Sequence, residues 1–249
     1  MNRKDLTDYL DHYLHINDIS DYGPQGLQVE AAGDTVRRIA LSVDVAPPII
    51  AAAAEWDADM LLVHHGVLWR SVERIAGPLG ARVRGLLKHD IHLYAAHLPL
   101  DAHPEVGNNA VLGKMLGVEV TDWWCQAQGT PIGVFGKLAM PLNELVTAVE
   151  QRLKTNVRLL AHGPAEVSQI AIVSGFGADR VAEARALGAD TLLTGETSHA
   201  NYWAAADHGL NVLFAGHYAT ETVGVQALGR HLAGKFNLDV KFFDFATAM

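Results

Sequence analysis

The chain has 249 residues, 49% hydrophobic and 19% charged, enough apolar material for one large core or two modest ones; this excludes disorder as the main state. A net charge of -9 speaks against a generic polyanion-binding surface, and no strong nucleic-acid signal is present. A single cysteine, Cys125, excludes a disulfide framework and any site built on two thiolates of one chain, so a metal here must be held by His, Asp or Glu, and the chain carries 13 histidines.

The start, Met1-Asn2-Arg3-Lys4-Asp5, lacks the apolar stretch and small-residue cleavage site of an export signal, so a cytoplasmic protein is expected. No apolar run reaches the ~18 residues of a membrane helix, because Pro47 and Pro48 interrupt the stretch from Val45 to Ala54. Leu6, Tyr9, Leu10, Tyr13 and Leu14 form one stripe of an amphipathic helix, with His12 and His15 read as solvated. A loop rich in Asp, Gly and Pro follows from Asn17 to Gly26. Short aliphatic runs then alternate with helical patterns, the rhythm of an α/β fold. In the first half the expected strands are Ile39 to Val43, Met60 to Val63 and Ile91 to Ala95, with helices opening at Pro48 and covering Gly80 to Lys88. Gly129 to Met140 reads as a strand and Leu142 to Leu153 as a helix. Further strands are expected at Ile170 to Val173, Thr191 to Leu193, Val212 to Phe214 and Val240 to Phe243, and helices at Asp179 to Leu187, His199 to His208 and Glu221 to Leu232. The composition shift over Thr121 to Pro131, anchored by Trp123 and Trp124, places the expected seam between residues 1–125 and 126–249.

A weak internal repeat emerges when the strands are aligned. Ala58-Asp59-Met60-Leu61-Leu62-Val63-His64-His65 parallels Ala189-Asp190-Thr191-Leu192-Leu193-Thr194-Gly195-Glu196. The segment from His89 to His97 parallels that from His208 to His217, and each ends in a histidine with a carboxylate four residues on: Asp101 after His97, Glu221 after His217. The fold class expected is therefore α/β, two related and interlinked halves.

Every polar motif falls at the carboxyl end of an expected strand, where ligands bind in such sheets. Adjacent side chains on extended backbone diverge, so His64 and His65 suit two ions better than one, with Gly66 allowing the chain to turn beneath them. His217 and Glu221 share a helix face, although Thr220 could instead be an N-cap and Glu221 a first-turn acid. Pro99 disturbs a helix over His97 to Asp101, so these two are expected to converge on a loop. Taken as one sheet system, the segments supply four imidazoles and two carboxylates. Such ligands suit two ions of Zn, Fe, Mn, Co or Ni bridged by a carboxylate. Ser174-Gly175-Phe176-Gly177 could be an anion-binding nest or a plain glycine turn. Glu196 is read as supporting a ligand rather than being one. Trp69 and Tyr94 could stack on a base or pack in the core, Cys125 reads as a buried small residue, and the remaining histidines, including His89, His92, His103, His162, His199, His208 and His231, read as surface or structural.

These motifs carry a family resemblance. Gly26-Leu27-Gln28-Val29, Val63-His64-His65-Gly66, Ala96-His97-Leu98-Pro99-Leu100-Asp101, the run Gly188 to Glu196 and Gly216-His217-Tyr218-Ala219-Thr220-Glu221 together make the chain resemble, over essentially its full length, the GTP cyclohydrolase 1 type 2 homologues, the Nif-three-like dinuclear-metal proteins. The resemblance implies two divalent transition-metal ions per subunit, ligated by His64, His65, Asp101, His217 and Glu221, with Glu221 shared and His97 beside them as proton shuttle or supporting group. It also implies a homohexameric ring whose metal sites face an inner cavity, without the large inserted domain of longer members. Thr197-Ser198-His199 departs from the family's usual aliphatic residue at that point. The function implied is a metal-dependent hydrolase acting on a nucleotide or related heterocycle. A non-catalytic metal-binding scaffold working through protein partners is the alternative.

Overall fold

The computed structural model describes residues 1–72 and 74–249. In chain order its elements are α1 (Arg3–Tyr13), β1 (Gly26–Val29), β2 (Arg38–Ser42), α2 (Pro47–Glu55), β3 (Met60–Val63), α3 (Gly77–Lys88), β4 (His92–Ala95), α4 (Leu98–Asp101), α5 (Asn108–Leu116), β5 (Glu119–Ala127), β6 (Thr130–Pro141), α6 (Leu142–Leu153), β7 (Arg158–Leu160), β8 (Glu166–Ile172), α7 (Val181–Ala186), β9 (Thr191–Thr194), α8 (Tyr202–His208), β10 (Asn211–Phe214), α9 (His217–Phe236) and β11 (Asp239–Phe242). The fold is α/β with two sheets, not the single sheet system expected from the strand pattern. Two compact units result: Met1–Val106 with Gly224–Phe245, and Gly107–Val223 with Ala246–Met249.

The first unit holds the sheet β1-β4-β3-β2-β11, parallel except for the antiparallel edge pair β1 and β4. Alternate strand residues point to opposite faces, and each face meets helices. Ile39, Leu41, Met60 and Leu62 pack against Leu6, Leu10 and Leu14 of α1 and Val225, Leu228 and Leu232 of α9. Ala40, Leu61, Val63 and Leu93 pack against Ile49, Ile50 and Ala53 of α2 and Leu86 of α3. Gly229 lets α9 settle on the sheet, since a Cβ there would sit 2.2 Å from Cδ1 of Leu41.

The second unit holds β5-β6-β8-β9-β10-β7, with β8, β9 and β10 parallel and the flanking pairs antiparallel. Its buried strand residues include Val134, Ile170, Ile172, Leu192, Leu193, Val212 and Leu213.

Two expectations are corrected here. The composition shift at Thr121 to Pro131 is a hairpin between β5 and β6, not a seam: Gln128 and Gly129 take φ of 49° and 88°, the left-handed pair of a type I′ turn. Trp123 and Trp124 lie on β5, and the Trp124 indole donates to the carbonyl of Val134 at 3.0 Å. The units part after Val106, so the expected 1–125 and 126–249 division differs from them. The strand expected over Val240 to Phe243 belongs by chain order to the second half, yet β11 pairs with β2 in the first sheet. Local alternation marks a strand but carries no information about which sheet edge receives it.

Candidate metal centre

In the first unit β3 ends at Val63, where the backbone bends and the amides of His64 and His65 both donate to the carbonyl of Val43, at 3.1 and 2.7 Å. Because these two residues are not extended, their side chains do not diverge as the spacing predicts. The ring centroids lie 4.8 Å apart, and His97 approaches to 5.0 and 5.6 Å. His64, His65 and His97 each offer a ring nitrogen, all within 4.8 Å of one another, and together could hold a metal ion. His97 opens α4 instead of an irregular loop. Pro99 is tolerated there because a first-turn residue needs no amide donor, and the Asp101 amide donates to the carbonyl of His97 at 3.0 Å. That turn brings Asp101 Oδ2 to 3.6 Å from Nε2 of the fully buried His64.

Each of these rings commits Nδ1 to a protein acceptor at 2.9 Å: His64 to the Ala96 carbonyl, His65 to Asp44 and His97 to Asp21. An acceptor at Nδ1 fixes the tautomer that presents Nε2 as a lone-pair donor, the arrangement seen around metal-ligating histidines. Asp21 is nearly fully buried and also accepts the amides of Leu98 and Tyr22, at 2.8 and 2.6 Å. Gln25 accepts the His97 amide at 2.8 Å. Gln28 accepts the amides of Val67 and Leu68 at 2.7 and 3.1 Å, clamping the loop after His65. A Cβ on Gly66 would lie 2.2 Å from the Gln28 carboxamide oxygen, so glycine is required by that clamp. The Trp69 ring stands edge-on to His97 at 5.3 Å, whereas Tyr94 is core, its hydroxyl donating to Asp11 at 2.8 Å.

In the second unit α9 begins at His217, earlier than Glu221, and the i, i+4 spacing brings His217 Nε2 to 3.1 Å from Glu221 Oε1. Thr220 is therefore not an N-cap. Its hydroxyl accepts the Gly175 amide at 3.0 Å and lies within 3.0 Å of the carbonyls of Gly216 and His217. Glu196 accepts Nδ1–H of His217 at 2.9 Å, the supporting role expected of it. The hydrogen bond to Glu221, opposed by burial and reinforced by the charge of Glu221 and by Glu196, raises the His217 pKa to about 9. The proton shared by Nε2 and Glu221 occupies the place where a cation would join the same nitrogen and oxygen donors.

The Ser174-Gly175-Phe176-Gly177 loop is bound into the protein. The amides of Ser174 and Gly175 donate to Asn109 and Thr220, at 2.7 and 3.0 Å, and the Gly175 carbonyl accepts from the amides of Gly195 and Glu196. This favours the glycine-turn reading. Gly175 has φ +63°, and a Cβ there would lie 2.5 Å from Glu221 Oε1 and 3.2 Å from His217 Nε2.

A model of the family Duf34/NIF3 (NGG1p interacting factor 3) matches residues 1–248. The chain belongs to the Duf34/NIF3 family. Among its relatives, a "GTP cyclohydrolase 1 type 2 homolog" of Deinococcus radiodurans is 41% identical over 251 residues, covering 100% of this chain and 95% of the relative. Another of that name from Pyrococcus abyssi is 40% identical over the full length of both. Among solved structures, the ybgI protein, titled as of unknown function, superposes with a TM-score of 0.93 at 36% identity, and TTHA1606 from Thermus thermophilus with 0.89 at 37%, each covering 100% of both chains. Family membership and the α/β fold thus agree with the motifs that suggested them.

Other histidines of this Duf34/NIF3 chain have structural partners. His92 accepts the Ala31 amide at 3.0 Å and donates to the Gly33 carbonyl at 2.7 Å. His231 stacks on Tyr13 and bonds the Tyr9 hydroxyl at 2.6 Å. Asp21, Asp44 and Gln25 escaped the sequence reading because they lie on loops with no periodic relation to the histidines they hold. Gln28 had a signal, since it sits in the Gly26-Leu27-Gln28-Val29 motif.

Proposed function

We propose that this chain is a metal-dependent hydrolase of nucleotides or related heterocycles, in which His64, His65, Asp101, His217 and Glu221 hold two divalent ions and Glu221 is shared between them. What carries the reading is the orientation of the rings. His64, His65, His97 and His217 each have Nδ1 on a protein acceptor at 2.9 Å, a set of outer contacts that surface histidines do not need. The imidazole and carboxylate donors fit Zn, Fe, Mn, Co or Ni. The relatives' name, GTP cyclohydrolase 1 type 2 homolog, supports a guanine nucleotide as the first substrate to try.

Bound there, such ions would acidify a water molecule and polarise the bond under attack. The protein's own part is to orient and to move protons. The Asp21 carboxylate holds His97 Nδ1–H, so Nε2 is the atom that takes a proton from the nucleophile and returns it to the leaving group. Glu196 and Asp44 hold His217 and His65 in the matching tautomer. The same reading includes a homohexameric ring in the cytoplasm.

Elemental analysis of purified protein should find two divalent metals per chain, and His64→Ala and His217→Ala should each lose metal. GTP incubated with metal-loaded protein should gain the mass of water in a ring-opened product, and Glu221→Gln should abolish it. Metal content unchanged by both alanine variants, or turnover persisting without metal, would refute the proposal. A nucleotide panel that yields no product while metal is retained would point to the scaffold role instead.

A further inference from the structure

A cavity of about 210 Å³ in the second unit is lined by Arg158, Leu160, Thr197, Ser198, His199 and Tyr202. The residues that line it carry a guanidinium, two hydroxyls, an imidazole and a phenol, and no carboxylate; of these the Thr197 hydroxyl donates to the Ser198 carbonyl at 3.2 Å. The one lining residue that carries a full charge at neutral pH is thus a cation, in a chain where Asp and Glu outnumber Lys and Arg by 28 to 19. Arg158 is exposed at the sheet edge and, among the described residues, has no carboxylate within 4.0 Å.

The cavity lies at an end of the sheet fixed by pairing. Arg158 on β7 is the register partner of Phe214 on β10, three residues before His217. Thr197 directly follows Glu196, which holds His217 Nδ1 at 2.9 Å. A guanidinium fork pairs bidentately with carboxylate or phosphate alike, and the further donor residues on a second chain segment suit a tetrahedral oxyanion, whose remaining oxygens point away from that pair.

We infer that this cavity is a phosphoryl-binding subsite, taking the phosphate of a small phosphate ester through Arg158, Ser198, His199 and Tyr202. The inference stands on the lining of the cavity and needs no metal. Where the hydrolase reading also holds, it gives that enzyme a grip on the phosphate end of its substrate.

Phenylglyoxal labelling followed by peptide mass spectrometry tests it on the intact protein. Inorganic phosphate should slow labelling of Arg158 severalfold relative to chloride at equal ionic strength, and should leave the exposed Arg37 unaffected. The same protection should persist in His217→Ala, which separates this subsite from anion binding at a metal. Calorimetric titration with inorganic phosphate should show Arg158→Gln weakening binding about tenfold, the loss of one charge-assisted contact. Phosphate protecting Arg158 no better than chloride, protection lost in His217→Ala, or undiminished binding by Arg158→Gln would each overturn the subsite.

Discussion

The two sheets share a plan that their borders conceal. In the first, the strands β1, β2, β3 and β4 lie in the order β1-β4-β3-β2; in the second, β7, β8, β9 and β10 lie as β7-β10-β9-β8, and in both the earliest strand is the antiparallel edge. Equivalent residues do equivalent work. Asp59 accepts the amides of Arg37 and Arg38, at 2.7 and 2.9 Å, and Asp190 those of Ser168 and Gln169, at 2.8 and 3.0 Å. His92 and Asn211 each accept an amide from the segment beside their strand and donate to a carbonyl there. The difference lies beyond the strand ends. His65 occupies the position that Glu196 takes in the second sheet: one is a ring with its own carboxylate, Asp44, and the other is the carboxylate that holds a ring, His217. A repeated scaffold therefore carries two different uses of the same strand end, and the backbone plan survives where the chemistry diverges.

The largest expected effect tests the shared plan. Asp190 is buried and accepts two amides and the Ser168 hydroxyl, so Asp190→Ala should cost about 3 kcal/mol, and Asp59→Ala, which loses two amide bonds at a more exposed site, about 2 kcal/mol. Urea unfolding midpoints measure both, and a cost near zero for either would break the equivalence. The divergent position comes next. Glu196→Ala should lower metal affinity about 10- to 100-fold, read by competition with a chromogenic chelator. Asp44→Ala should do less, because Asp44 is 40% exposed in its side chain. Equal metal affinity in wild type and both variants would remove the orienting role from that pair.

The smallest effect belongs to His103, which only the first unit possesses. Burial lowers its pKa below the ordinary imidazole value; Nδ1 accepts the amides of Glu105 and Val106, and Nε2 donates to the Tyr13 carbonyl. A neutral buried ring contributes stability that is present above the unfolded value of ~6.5 and is lost as pH falls through the lowered folded value. The urea midpoint should therefore drop from about pH 7.5 to about pH 5.5, on either side of that unfolded value, and the drop should shrink in His103→Gln. An identical drop in the variant would assign the acid sensitivity elsewhere.

Much of the fold is readable without coordinates. Met60 to Val63 and Leu142 to Leu153 are expected with the bounds they have, and the other expected strands fall within a few residues of expectation, except that β8 starts four residues earlier, at Glu166; β1, β5 and β7 are not among the expected strands. The candidate motifs are readable too, because His64-His65-Gly66, His97 to Asp101 and His217 to Glu221 are each contiguous in the chain, and for His217 and Glu221 the i, i+4 spacing already brings the two side chains together. Periodicity and short-range chemistry are properties of neighbouring residues, so the linear chain already contains them. Folding in three dimensions was needed to place β11 in the first sheet, to make the Trp123-Trp124 stretch a hairpin strand and to bend the His64-His65 backbone instead of extending it. It also brought Asp21, Asp44 and Gln28 to the rings and loop they hold. Those contacts join residues far apart in sequence, and their geometry depends on which strands pair, a choice made by burial across the whole chain and not by any one segment of it.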